Sequence, residues 1–361
     1  MNILVVLILL ASGLYHASAF DSAALREFST DFSRALVGPE EIRSGGPPKD
    51  GIPAIDNPEF TTGKAADVWI GAREPVLLLR RRGSVKIYPL QILMWHEIVN
   101  DTVAGEPVAV TFCPLCNTGI AFSRRLAGRL LDFGTTGRLR DSNLIMYDRQ
   151  SESWWQQADG KAIAGEYTGS TLEQIPVQRA SWKEAKEAFP EAHVLSRNTG
   201  FTRAYGRNPY RGYDAGGSSP FLYDGPAPPE RDPLARVLQL SHAEESAVFS
   251  YEELAEKKVL HTELAGEGFV IFFEAETASA LDSSAISEGR TVGSANAYHT
   301  LLGDRKLEFR LRFGRITDLQ TGSRWSSLGE ALSGPLKGER LEPAVAADHF
   351  WFSAWSFYFR E

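Results

Sequence analysis

Apolar and polar positions alternate in short runs along most of this chain, and the runs are punctuated by Gly, Pro and Asn. Val76-Leu79 and Val85-Ile87 read as two short strands around the Arg80–Gly83 turn. Leu90, Leu93, Met94 and Ile98 then recur at helical spacing, which predicts a helix from Leu90 to Asn100. Pro107 to Phe112 is a β-rich run after a turn at Gly105. Short strands continue to about Leu172, and Trp182 to Phe189 predicts a helix that Pro190 stops. The fold class this implies is α+β and β-dominated.

The same pattern returns later in the chain. Ile87-Tyr88 has its counterpart in Val248-Phe249, Leu93 in Leu254, and Val110-Thr111-Phe112 in Ile271-Phe272-Phe273. The clearest block is Asp148-x-Gln150-x-x-Ser153-x-Trp155, which returns as Asp318-x-Gln320-x-x-Ser323-x-Trp325. Ordered matches at a near-constant offset are the signature of a repeat. The expected organisation is two diverged tandem copies of one mixed β domain. The first copy spans 65–209 and the second, degenerate copy 236–361. A Pro- and Gly-rich crossover at 210–235 joins them.

Ahead of these copies, 20–64 is an N-terminal extension, and 1–19 has the pattern of a secretory signal peptide. An apolar run from Met1 to Leu10 precedes a small-x-small sequence at Ala17-Ser18-Ala19, so cleavage is expected near Ala19. The n-region carries no Lys or Arg. The reading is a secreted or periplasmic protein with no membrane span after signal removal. A net charge of −8 argues against nucleic acid as a partner. Oligomeric state is not legible.

Chemistry concentrates in one place. The chain has two cysteines, both in Cys113-Pro114-Leu115-Cys116, so a disulfide framework for the fold is excluded. Closing so small a loop would contribute only about 2 kcal/mol, less any strain. In the second copy, Cys113 falls on Glu274, Cys116 on Thr277 and His96 on Lys257. Candidate ligands are replaced while Trp155 and Gly165 survive as Trp325 and Gly334.

Two cysteines three apart in a turn can aim both sulfurs at one centre, with Asn117 suited to a left-handed turn position. Zinc prefers four ligands and no third Cys exists, so soft thiolates point to Cu(I) or another soft metal. The proposed metal ligands are Cys113 and Cys116, with His96 or Met146 as the third. Redox-active dithiols are also written Cys-x-x-Cys, so thiol–disulfide exchange with Cys113 and Cys116 as the catalytic pair is an alternative. A ligand- or glycan-binding module with an inert disulfide is another. The first copy also carries extra polar residues between Gly134 and Tyr147, read as a substrate loop. Arg138, Asp141, Ser142 and Asn143 are its candidate small-molecule-binding residues. Motifs for serine hydrolases, zincins and P-loop or dinucleotide binding are missing, so the chain is not assigned to an enzyme class.

Several blocks are familiar as a set. Glu97-Ile98-Val99-Asn100-Asp101, Gly105 through Cys116, Met146 through Gln157, Asn208-Pro209-Tyr210 and Thr321 through Trp325 resemble the family called domain of unknown function 3179. The resemblance runs over roughly residues 65–355. It implies an exported protein of mostly prokaryotic distribution and brings no established activity. Asn117 stands where the family more often has Gly, and Trp154 where it tends to have Leu.

Overall fold

The computed structural model describes residues 24–360, and the expected signal peptide lies outside them. Strands dominate and helices are short. Strands Pro75–Arg81 and Ser84–Pro89 form a hairpin. Arg82 and Gly83 take positive φ at its tip, as a tight two-residue turn demands. Val177–Ser181 pairs with the first of these strands. His193–Leu195 and Phe60–Thr62 complete a five-stranded sheet beyond the second.

The helix that follows is shorter than its periodicity suggested. It spans Leu90–His96 and ends at Glu97, whose φ is +59°. Ile98–Val103 is a strand, paired with Glu106–Cys113. The β-branched Ile98 and Val99 are fully buried in that strand, where their stiff χ1 preferences fit better than on a helix. Glu106–Cys113 pairs in turn with Thr118–Ser123, so the Cys-x-x-Cys segment is the connection between two neighbouring strands. Another sheet runs Ile42–Ser44, Phe133–Arg140, Asn143–Asp148, Trp154–Gln156, Ala162–Ala164. The helix Trp182–Ala188 is where the sequence put it, with Ser181 capping its first turn.

Beyond residue 235 the same succession of elements recurs. Arg236–His242 pairs with Glu245–Ser250 and with Ala346–Phe350. The helix Tyr251–Lys257 follows, ending at Lys258 with φ +61°. Val259–Leu264, Glu267–Glu274 and Ser294–His299 form the next meander. Phe309–Arg312, Arg315–Asp318, Arg324–Trp325 and Ala331–Ser333 close the series.

The shared Asp-x-Gln-x-x-Ser-x-Trp block is a structural turn in both places. Asp148 accepts from the Trp155 indole at 2.9 Å and from the Ser151 hydroxyl. Asp318 accepts from Trp325 at 3.0 Å and from Thr321. Gly165 and Gly334 sit at positive φ, where a Cβ would lie 2.8 Å and 2.7 Å from the Cα of Ser153 and Ser323. These positions hold scaffold rather than chemistry.

The two halves meet through buried polar contacts. Arg179 forms an ion pair with Asp348 at 2.7 Å. Asn296 exchanges hydrogen bonds with the Arg179 backbone in both directions. Gln178 donates to the Tyr298 hydroxyl at 2.7 Å. Among the described residues no helix is long and apolar enough to cross a membrane.

Candidate functional site

The strand Glu106–Cys113 carries Cys113 into the core, and Pro114–Cys116 makes a single tight turn. Asn117 ends that turn in the left-handed conformation, with φ 56° and ψ 29°. The Arg179 guanidinium grips it by donating to its side-chain and backbone oxygens, each at 3.1 Å. Both cysteines are free thiols and essentially inaccessible to bulk solvent. No disulfide joins them.

The stretch from Gly134 to Tyr147, expected to be a loop, is an extended hairpin. Phe133–Arg140 and Asn143–Asp148 run longer than the matching Phe309–Arg312 and Arg315–Asp318. Polar residues there satisfy backbone and neighbours rather than solvent: Thr136 donates to Ile145 O at 2.5 Å, and Thr135 to Ile52 O at 2.8 Å. The hairpin turns on Asp141 and Ser142, both at positive φ. That tip is delivered onto the thiols. Cys116 donates to the Ser142 carbonyl at 3.5 Å and Cys113 at 3.9 Å.

Three N–H groups point back at the sulfurs. Cys113 accepts from the backbone of Leu144 and of Cys116. Cys116 accepts from Asn143 Nδ2 at 3.3 Å. Asn143 is itself fully engaged: it also donates to Gln157 at 3.0 Å and accepts from Gln156 and from the Ala158 backbone. Gln157 ties the network to Thr111 and to the Thr118 carbonyl. Buried amides of this kind fix one arrangement of the groups they join. Burial, then the neighbouring Cys116, push the Cys113 thiol well above its ordinary range.

The other residues singled out from the sequence divide into those near the thiols and those held away from them. Asp141 at the hairpin tip pairs with Arg360 at 2.5 Å. Arg138 is buried with Glu27 at 3.6 Å and lines a cavity beside the cysteine turn. Met146 is fully buried on the same strand as Leu144, two residues along and therefore on the same face. His96 is turned elsewhere: its ring nitrogens meet Pro53 O at 2.7 Å and the Tyr205 hydroxyl at 2.6 Å. Among the described residues no three His, Cys, Asp or Glu side chains converge as metal ligands, so the fold does not bring His96 to the cysteine pair. Helix geometry explains this, because the turn at Glu97 sends His96 toward the Pro53 segment and leaves Glu97 facing Cys113.

Glu97, Tyr210 and Tyr213 were not singled out individually by chemistry, although Glu97 and Tyr210 fall in the familiar blocks. All three belong to the site. Burial first, then Cys113, hold the Glu97 carboxyl well above the usual carboxylate range. Tyr210 and Tyr213 come from the crossover, and burial next to the cysteines raises both phenols. The crossover is pinned by Asp214, which pairs with Arg236 at 2.5 Å and Arg290 at 2.8 Å. Those charged residues were the available signal: a linker free in solvent has no need of a buried Asp.

His349 reaches the cysteine turn from the second half. It is buried, with Nδ1 2.9 Å from the Thr118 hydroxyl, which donates to the Cys116 carbonyl. In the second half, Glu274 pairs with Ser294 just as Cys113 pairs with Thr118. Thr277 instead lies in a long excursion between those strands, hydrogen-bonded to Ser294. That excursion supports the crossover: Gly212 and Tyr213 donate backbone hydrogen bonds to Asp282 and Leu281.

A family model described as "Protein of unknown function (DUF3179)" matches residues 49–361. The chain belongs to the DUF3179 family. No curated protein and no solved structure matches it. Within this DUF3179 chain, the matched segment includes the cysteine turn, the hairpin over it, the crossover and the whole second half. It begins beyond Ile42–Ser44, the strand that edges the hairpin sheet.

Proposed function

We propose that this DUF3179 protein binds one soft monovalent cation, Cu(I), between Cys113 and Cys116. The observation that carries the reading is the set of N–H groups from Leu144, Cys116 and Asn143 aimed at the two sulfurs. Such donors stabilise sulfur as thiolate, and a buried thiolate pair requires a cation. A d¹⁰ soft ion accepts a small number of sulfur ligands, whereas zinc would lack two of its four. Met146 remains a candidate third ligand by its place on the Leu144 face. Binding releases the thiol protons now shared with Ser142 O, so affinity rises with pH.

Two broader inferences accompany it. The chain is a tandem duplication whose second copy keeps the scaffold and lacks the cysteines, a reading supported by the recurring order of strand pairings. It is exported, which rests on the N-terminal sequence pattern.

The test is competition of reduced protein with bicinchoninate for Cu(I). About one ion per chain is expected, and none in a Cys113→Ser/Cys116→Ser variant. Thiol–disulfide exchange is the alternative, because Cys-x-x-Cys pairs also serve as redox-active dithiols. Protein that takes up no metal but forms a reversible Cys113–Cys116 disulfide able to oxidise a dithiol would establish that alternative. Failure of both would leave a binding module.

A further inference from the structure

One face of the sheet formed by Phe309–Arg312, Arg315–Asp318, Arg324–Trp325 and Ala331–Ser333 is basic. Arg312 lies directly across from Arg315, and Thr317 lies between Arg310 and Arg324. Directly paired residues of antiparallel strands share a face, and so do residues two apart on one strand. All four arginines therefore stand on one side, while Phe309, Ile316 and Trp325 are buried on the other. None of the four forms an ion pair with a described residue, and Arg324 Nε is buried without a hydrogen-bond partner. Like charges placed directly opposite each other destabilise a sheet, so this face is built against its own stability.

The matching sheet of the first half is covered on the same side. Tyr147 pairs with Trp154 as Thr317 pairs with Arg324, and Ile145 takes the place of Arg315. Those three side chains are buried, and Phe28 and Phe32 of the N-terminal extension meet the Trp154 ring at 5.2 Å and 4.9 Å. In the second half Arg310, Arg312 and Arg315 stay exposed. The face is apolar where the chain covers it and cationic where the chain leaves it open. A patch of this sign in a chain of net charge −8 is complementary to an anionic partner from outside.

The turn between Arg312 and Arg315 narrows what that partner is. It consists of Phe313 and Gly314, with φ of 50° and 71°. Glycine accepts such angles, whereas a bulky aromatic residue there is strained. Phe313 is nevertheless 89% exposed, with the Arg312 guanidinium 5.4 Å from its ring centre. An aromatic ring at a protruding tip, flanked by arginines, suits the boundary between lipid headgroups and acyl chains. The ring enters the apolar layer and the guanidinium groups stay at phosphate depth.

We propose that this hairpin docks the protein on an anionic phospholipid surface, with Phe313 entering the interface and Arg310, Arg312 and Arg315 meeting lipid phosphates. An acidic polymer would satisfy the arginines but has no apolar layer to receive Phe313. Neither cysteine takes part, so this docking and Cu(I) binding fail separately.

The test is flotation of the full chain with vesicles of phosphatidylcholine alone, or of phosphatidylcholine and phosphatidylglycerol in equal parts, at low ionic strength. Wild type should partition onto the mixed vesicles far more strongly than onto phosphatidylcholine. All variants keep the same N-terminus, so differences between them report the hairpin. The triple variant Arg310→Gln/Arg312→Gln/Arg315→Gln should partition about a hundredfold less, roughly fivefold for each arginine near an anionic surface. It should melt no lower than wild type, because the repulsion between opposed arginines is gone. Phe313→Gly should partition about tenfold less and also melt no lower, because glycine accepts the turn while the buried ring is lost. Equal flotation with both kinds of vesicle, or undiminished flotation of either variant, would overturn the proposal. Retention of wild type on immobilised polyglutamate without flotation would assign the arginines to an acidic polymer and overturn it as well.

Discussion

The Asn143 side-chain amide donates to the Cys116 sulfur at 3.3 Å while its oxygen accepts from the Ala158 backbone at 3.0 Å. One side chain therefore sets both the electrostatics of the thiol and the course of the strand behind it. Asn143→Asp keeps the size but replaces the donor with an oxygen. We expect Cu(I) affinity to fall at least about tenfold, the worth of one charge-assisted hydrogen bond. Asn143→Ala should in addition cost about 2–4 kcal/mol in chemical denaturation, because Gln156, Gln157 and the Ala158 N–H lose partners in the core. Wild-type metal affinity in Asn143→Asp would remove this residue from the site.

Arg179 links the halves and the cysteine turn at once, through Asp348 and Asn117. Arg179→Met leaves Asp348 buried without its cation and should destabilise the chain by about 3–5 kcal/mol. Asp348→Asn added to it should recover a substantial part of the loss, since the unpaired charge is then gone. Urea unfolding of the single and double variants measures this. Equal stabilities for the two would show that lost packing, rather than the orphaned charge, dominates.

Glu184 sits at the junction of the halves, hydrogen-bonded by Ser327, with burial pushing its carboxyl up to about 7. Its folded value lies above the ordinary 4.5, so over that interval the folded chain holds a proton the unfolded chain has released. Stability should therefore fall as pH rises from 4.5 toward 7 and level off above. Melting temperatures of Glu184→Gln should lack this component. A wild type and variant with parallel pH profiles would contradict it.

His349 supplies the opposite slope. Burial, then the charge of Arg179, pushes its imidazolium form down to about 3. The unfolded chain takes up a proton below its ordinary 6.5 that the folded chain refuses, so stability should fall as pH drops from 6.5 toward 3. His349→Gln should flatten that acid limb while leaving the hydrogen bond toward Thr118 possible. An unchanged acid limb would place the responsible group elsewhere.

Much of this architecture was legible because it is local. Hairpin tips such as Arg82-Gly83 and Ala104-Gly105 need residues that accept positive φ, and both adopt it. The Pro190 stop, the β runs and the recurring Asp-to-Trp block follow from short-range geometry in the same way. The helix at Leu90 was overextended because Ile98 satisfies helical spacing and strand alternation equally well. Only pairing with Thr111 across the sheet decides between them.

By itself the sequence determined that the chain is β-dominated, that an Asp-x-Gln-x-x-Ser-x-Trp block occurs in it twice, and that its cysteines are confined to one turn. Those properties rest on spacing along the chain, which is what a sequence records. Tertiary structure alone decided the surroundings of the sulfurs. Asn143 and Ser142 reach them from the tip of a hairpin, Tyr210 and Tyr213 from the crossover, and His349 from the other half. His96, the nearest histidine in sequence, is turned toward Tyr205 while Glu97 takes the position against Cys113. A single left-handed residue at the end of a helix makes that exchange, because it redirects the chain between neighbours whose side chains then face different cavities.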